Sequence, residues 1–213
     1  MQVIDLKRRW RSLYSPRPGG YELVEVPELA YLAIDGRIEP GSSPGASPGY
    51  AAAVGALYGL AYTLRFSLKR RAVEPLDYPV MPLEGLWWTD GPFDLARKDN
   101  WRYTAMILVP DEVAPAEVAD GLAALRARRG DQPEFSRLRL ERFAEGRCVQ
   151  VLHVGPYASE PETLAQLPDF LGRAGLVDEV GADRRHHEIY LSDPNRTAAE
   201  KLRTIVRHPV ARA

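Results

Sequence analysis

Gly85-Leu-Trp-Trp-Thr-Asp90 and Glu188-Ile-Tyr-Leu-Ser-Asp193 align without a gap, and each ends in an Asp that enters a turn. Around both segments the same order of elements can be read: strand, helix, strand, strand. In the first half, residues 23–38 are strand-rich, with a turn near Pro27. Ser47 is a good N-cap and Pro48 fits the first helical position, so a helix runs to about Leu68 with Val54, Tyr58, Ala61 and Tyr62 at helical spacing. Residues 77–81 and 85–89 read as strand, 101–109 as a strong strand, and 115–130 as a helix opened by Pro115 and stopped by Gly130. The second half follows suit. Residues 138–144 and 147–154 read as a strand pair. Ser159 and Glu162 form a capping box before a helix to Gly175 that Pro168 must kink or shorten. Residues 187–192 are a strand, Thr197 and Glu200 box a short helix, and 202–208 close as a strand. Residues 4–13 form a short helical stretch ahead of the breaker run at 15–20. The reading is an α+β fold of tandem strand-helix-strand-strand repeats, about 21–130 and 136–213, forming an antiparallel sheet behind an N-terminal extension, 1–20.

The chain has 213 residues, of which 45% are hydrophobic, so a substantial core can be buried. A formal net charge of −1 gives no basic surplus for nucleic acid. Cys148 is the lone cysteine, which excludes an internal disulfide and suits a reducing compartment. No apolar run approaches the ~20 residues of a membrane span, and residues 1–14 lack a signal-peptide core. The expectation is a cytoplasmic protein that meets neither membrane nor nucleic acid.

Several motifs fail on chemistry. Gly41-Ser-Ser-Pro-Gly45 and Gly45-Ala-Ser-Pro-Gly49 match the hydrolase elbow, but the residue after each serine is proline. Proline lacks the N–H that an oxyanion hole needs. His186-His187-Glu188 suggests a metal, yet a strand sends the two histidines to opposite faces, and no Cys-x-x-Cys accompanies them. No dinucleotide or phosphate-loop fingerprint occurs. Neither metal nor cofactor is expected.

One constellation survives. Alternation puts His186, Glu188 and Tyr190 on one strand face and His187, Ile189 and Leu191 on the other. Ile189 and Leu191 are the natural core-facing pair, leaving Glu188 and Tyr190 directed away from the helix-packed core. The internal match sets Trp87 beside Tyr190 on this open face and sends Trp88 inward. Trp101 and Tyr103 share a face of their own strand. A carboxylate among indole and phenol rings suits flat, hydrophobic or cationic molecules. Bland readings compete: a strand glutamate is usually solvated, Trp87-Trp88 is more often core, Tyr58 and Tyr62 are packing candidates, and Tyr157 follows a Gly155-Pro156 turn.

These residues resemble the GyrI-like small-molecule-binding family over nearly the whole chain. The resemblance rests on Asp5-Leu-Lys, Val26-Pro-Glu28, Ile34-Asp-Gly36, Ala56-Leu-Tyr58, Ala61-Tyr-Thr-Leu64 and Met81-Pro-Leu-Glu-Gly-Leu-Trp-Trp88. It continues through Gly155-Pro-Tyr157, Glu160-Pro161, 186–194, Glu200-Lys-Leu202 and His208-Pro-Val210. It implies a ligand groove between the halves and a buried glutamate on the second-half strand, a role only Glu188 fits. Some members resemble hydrolases that open strained cyclopropane rings; others bind drugs without chemistry, or regulate transcription when fused to a DNA-binding domain. No helix-turn-helix region is present. The Gly/Pro/Ser-rich loop 41–49 and Gly55, where an acidic residue is expected, depart from the family pattern near the groove.

Three readings follow. In the first, Glu188 is the general base of a hydrolase and Tyr190 or Tyr157 stabilises a developing oxyanion. In the second, the protein sequesters aromatic or cationic drugs, with Trp87, Trp88, Trp101, Tyr103, Tyr157, Tyr58 and His186 lining the site. In the third, it is an adaptor restraining a protein such as gyrase.

Overall fold

The computed structural model describes every residue except Ala96 and Ala182. Its elements are β1 Gln2–Val3, α1 Leu6–Arg9, α2 Arg11–Tyr14, β2 Glu22–Arg37, α3 Pro48–Arg70, β3 Leu76–Asp77, β4 Glu84–Trp88, β5 Arg102–Val109 and α4 Pro115–Arg129. Then come β6 Arg139–Val154, α5 Glu160–Leu164, α6 Leu167–Ala174, β7 Leu176–Asp178, β8 His186–Tyr190 and β9 Arg203–Arg212. Strand-helix-strand-strand thus occurs twice, in an α+β fold. The main sheet is antiparallel, in the order β6-β2-β5-β4-β8-β9-β7. It also closes on itself. Cys148, Val149 and Gln150 pair with Val24, Leu23 and Glu22 of β2 on one edge, and with Pro209, His208 and Arg207 of β9 on the other. Six strands therefore form a ring.

Strands of the ring contribute to a buried polar network. The imidazole of His187 lies 3.1 Å from Glu84 Oε2 and 3.0 Å from Glu145 Oε2. Arg207 donates to Glu145 (3.1 Å), to Gln150 Oε1 and to the carbonyl of Leu13. Tyr14 donates to Glu84 at 2.6 Å, and Gln150 donates to the carbonyl of Ser12, so α2 plugs the network from one end. Both His187 nitrogens face carboxylate oxygens, which only accept; the imidazolium satisfies both. Two cations then balance two anions. Burial opposes charge on Glu145, but His187 and Arg207 hold its carboxyl down at about 2. Burial likewise opposes charge on His187, and Glu145 and Glu84 overcome it, raising its pKa.

Glu145 and Gln150 are five residues apart, yet both reach Arg207, which strict alternation forbids. Gly146, at φ +73°, breaks the phase between them. The expected strand pair 138–144 and 147–154 is therefore one bent strand, because the glycine bends β6 without ending it. Pro27 likewise does not turn β2, which runs through it.

Helix α3 lies on β2 and β5, burying Ala53, Leu57, Leu60 and Leu64 in the larger core with Leu32, Ile34 and Ile107. Among the described residues it is the one helix long and apolar enough to cross a membrane, but half of that stretch is buried against the fold. A smaller cluster joins Leu164, Leu167 and Leu171 of α5 and α6 to Val149, Val151 and Val206. Other expectations shift at their ends. Residues 4–13 split into two one-turn helices whose Leu6, Leu13 and Tyr14 are buried. The 77–81 strand shrinks to the Leu76–Asp77 bridge with β1. Pro168 divides the 159–175 helix into α5 and α6. Ser159 makes no cap; its hydroxyl donates to Pro156 O. Thr197 opens no capped helix, only a 3-10 turn at Ala199–Lys201.

Glu145→Gln leaves His187 and Arg207 buried beside a neutral partner, so urea melts at pH 7 should show a loss of about 3–5 kcal/mol. The carboxyl contributes fully above its ordinary value of 4.5 and loses that contribution as pH falls toward about 2. The gap between parent and variant should narrow over that interval.

Candidate functional site

Strand register assembles the site. Trp87 pairs with His186 across β4 and β8, and with Tyr103 across β4 and β5; Gly85 pairs with Glu188. Paired residues share a face, so His186, Glu188, Tyr190, Trp87 and Tyr103 lie together. This is not the open face that the sequence suggested. It is the face on which α3 packs, and Glu188 is only 3% exposed. Ile189 and His187 point instead into the ring, where a polar network occupies the space expected of an apolar core.

The loop 39–49 brings a further ring down from α3. Ser47 Oγ accepts the Tyr50 N–H at 3.0 Å, Pro48 occupies the first turn, and Glu39 Oε1 accepts the Gly49 N–H. Tyr50 is thereby set 5.4 Å from Trp87 and 4.8 Å from Tyr103, centroid to centroid. Gly85 makes room for the indole: a Cβ there would lie 2.6 Å from Trp87 Nε1. That Nε1 donates to the Tyr190 hydroxyl at 3.1 Å, and the hydroxyl in turn hydrogen-bonds Glu188.

Glu188 shares the site with a second buried carboxyl. At the end of β6, Gly155 adopts φ +141°, and His153 Nε2 donates to Pro156 O while Nδ1 accepts from Thr163. This turn presents Tyr157, 5.7 Å from Tyr190, and then Glu160 at the start of α5. Glu160 is fully buried; Oε2 meets Lys98 at 3.4 Å, and Oε1 has no hydrogen-bond partner among the described residues. Burial, and next the charge of Glu188, push its pKa up to about 8, against the pull of Lys98. Burial also works against ionised Glu188. There the His186 Nε2–H, 3.1 Å from Oε1, outweighs it with help from Lys98 and Tyr190, and holds the carboxyl below its ordinary value. One carboxyl is kept as an acid and the other as a base.

Of the other expected site residues, Trp101 lies tilted, 5.2 Å from Trp87 and 6.2 Å from His186, with Nε1 donating to Asp94 O. Trp88 lies on the opposite face beneath the Arg185 guanidinium, 3.7 Å away, so it is not brought to Glu188. Tyr58 is half-buried on α3 and its ring partner is Tyr62. Sequence reasoning missed Tyr50, Phe93, Lys98 and Glu160 as site residues. Phe93 lies over His186 with centroids 5.2 Å apart. Glu160 had a usable signal, a carboxylate three residues beyond Gly155-Pro156-Tyr157; Phe93, in a loop, and Lys98, on the one-turn 3-10 helix Lys98–Asn100, had none.

Comparison with known proteins places these features in context. The chain matches the family described as the GyrI-like small molecule binding domain over residues 20–211. An uncharacterized conserved protein from Listeria innocua superimposes with a TM-score of 0.88 at 38% identity, covering 98% of this chain and 100% of its own. A hydrolase from Listeria innocua gives a TM-score of 0.82 at 36% identity, with coverage of 98% and 100%. The EcmrR C-terminal domain, at 11% identity and a TM-score of 0.55 over 91% of this chain and 98% of its own, shares the fold. No curated protein matches.

Gly85→Ala should force the Trp87 indole aside and break its bond to Tyr190. Overpacking of this kind costs about 1–3 kcal/mol. A thermal melt should report that loss, and tryptophan fluorescence should shift; unchanged emission would contradict the close approach.

Proposed function

This chain belongs to the GyrI-like small-molecule-binding domain family, and from that premise we propose that it hydrolyses strained, cyclopropane-type electrophiles carried on hydrophobic aromatic molecules, as a detoxifying enzyme. The observation that carries the reading is a pair of buried carboxyls in unlike surroundings: Glu188 accepts the His186 N–H at 3.1 Å, while Glu160 meets Lys98 at 3.4 Å and leaves Oε1 unpartnered among the described residues. Similarity to a hydrolase from Listeria innocua at 36% identity supports it.

The chemistry follows from the two protonation states. Ionised Glu188 takes a proton from water as its oxygen attacks the strained ring carbon. The carbon–carbon bond breaks, and its electron pair passes to a conjugated carbonyl oxygen. Glu160, whose Oε1 has no partner among the described residues, gives its proton to that oxygen. The Tyr157 hydroxyl can meet the developing charge, and Tyr190 steadies Glu188 beside it. The buried rings of Trp87, Trp101 and Tyr103, with Tyr50, are the aromatic surface that a flat ligand would meet beside Glu188.

Glu188→Gln should lower kcat by about 10²–10⁴-fold, the range of general-base catalysis, while a planar aromatic ligand still quenches tryptophan fluorescence stoichiometrically. Activity in the parent needs Glu160 protonated, so it should fall as pH rises through about 8. It should fall again only below the ordinary glutamate range, where Glu188 gains a proton. Glu160→Gln should abolish the alkaline limb. Binding without ring-opened product in the parent would assign the site to drug sequestration, where Glu188 is a counter-charge to cationic ligands.

A further inference from the structure

His186 meets Glu188 with Nε2 only; its other nitrogen leads away from the site. Nδ1 lies 2.8 Å from His208 Nε2, and His208 Nδ1 lies 2.7 Å from Asp178 Oδ2. Asp178 Oδ1 accepts the Val180 N–H at 2.9 Å. The chain thus passes from β7 through β9 to β8, from a side chain 35% exposed to two buried rings and then to Glu188. The 2.8 Å contact between two ring nitrogens requires that one donate and the other accept.

Hydrogen-bond logic orients every member. Both Asp178 oxygens accept, so His208 Nδ1 donates. Glu188 accepts, so His186 Nε2 carries a proton. His186 is buried and its pKa is lowered to about 4, so it is neutral at pH 7 and its Nδ1 accepts. The two rings then share three N–H groups, and burial of His186 disfavours the third on its own Nδ1. All donors point inward, toward Glu188. The groups facing His186 are Glu188, His208 and Lys98, with the Phe93 and Trp101 rings; Asp178 and His186 face His208.

We propose that Asp178 and His208 are positioning residues for the reaction at Glu188, acting through His186. They fix His186 as an Nε2–H donor, which pins Glu188 Oε1 and keeps Glu188 ionised to take a proton from the attacking water. The acid–base division between Glu160 and Glu188 then rests on a pair of residues that touch no substrate. The idea depends on Glu188 being the base, as proposed above.

Without the His208 donor, His186 is free to take the other tautomer, with Nδ1–H and a bare Nε2 facing Glu188. That face then favours a protonated Glu188. The test uses the full chain, with ¹⁵N NMR of His186 and ¹³C NMR of the Glu188 carboxyl in the parent, His208→Leu, His208→Gln and Asp178→Asn. The parent should show the Nε2–H tautomer and an ionised Glu188. His208→Gln retains an N–H for His186 Nδ1 and should keep both. His208→Leu should show Nδ1–H and a protonated Glu188 at pH 7. Its kcat should fall about 10²-fold or more, with KM within about two-fold. Asp178→Asn removes the carboxylate at the head of the chain without removing a ring, and should shift the His186 tautomer in the same direction if the leucine variant fails to fold. An unchanged tautomer in both His208→Leu and Asp178→Asn would overturn the proposal. So would equal losses of kcat in the Gln and Leu variants. A parent without turnover sinks the hydrolase reading alone, because the two NMR readouts still decide whether the chain orients Glu188.

Discussion

The bonds from His187 to Glu84 and Glu145, inside a closed ring of strands, constrain everything around them. Charged groups that have left water must find partners, and here each cation has an anion within hydrogen-bond reach. Adjacent strand residues point to opposite faces. Once His187 is committed inward, His186 and Glu188 are committed outward. A slip of one residue in β8 would place Glu188 in the ring and leave Glu84 and Glu145 without their imidazolium. The network therefore fixes the register on which the site depends. Its reach extends to the N-terminus, since Tyr14 and the Ser12 and Leu13 carbonyls complete it.

The two faces of β8 use glutamate in different ways. Inside, Glu145 is neutralised by permanent partners and does no more than hold strands together. Outside, Glu188 and Glu160 lie in an aromatic enclosure with too few cations to ionise both. Lys98 and the His186 N–H stabilise one negative charge there, and the second carboxyl keeps its proton. The unequal division follows from geometry: His186 bonds to Glu188, and among the described residues nothing comparable reaches Glu160 Oε1.

Much of this was legible in the sequence, and the gaps have physical causes. The order strand-helix-strand-strand, the N-cap at Ser47, the grouping of Trp87 with Tyr190 and the outward placement of Glu188 relative to His187 all follow from local rules. Which face the helices cover does not. Periodicity made Ile189 the core-facing residue, because it assigns polar side chains to solvent, whereas ring closure gives charged groups a dry interior of their own. Strand breaks at Pro27 and residue 145 were over-read for a similar reason: proline and glycine interrupt a flat strand but allow a bent one. Glu160, Lys98 and Phe93 come to the site from a helix start, a one-turn 3-10 helix and a loop, and only the tertiary fold relates them to β8.

Cys148 acquires a meaning from its place on β6. Its side chain is wholly buried, and burial together with the neighbouring Glu145 charge pushes its thiol far above the usual range. The thiolate is the form that reacts with alkylating agents, and it is essentially absent here at neutral pH. It is also the only sulfhydryl in the chain. Soft carbon electrophiles therefore find no ready thiolate on this chain.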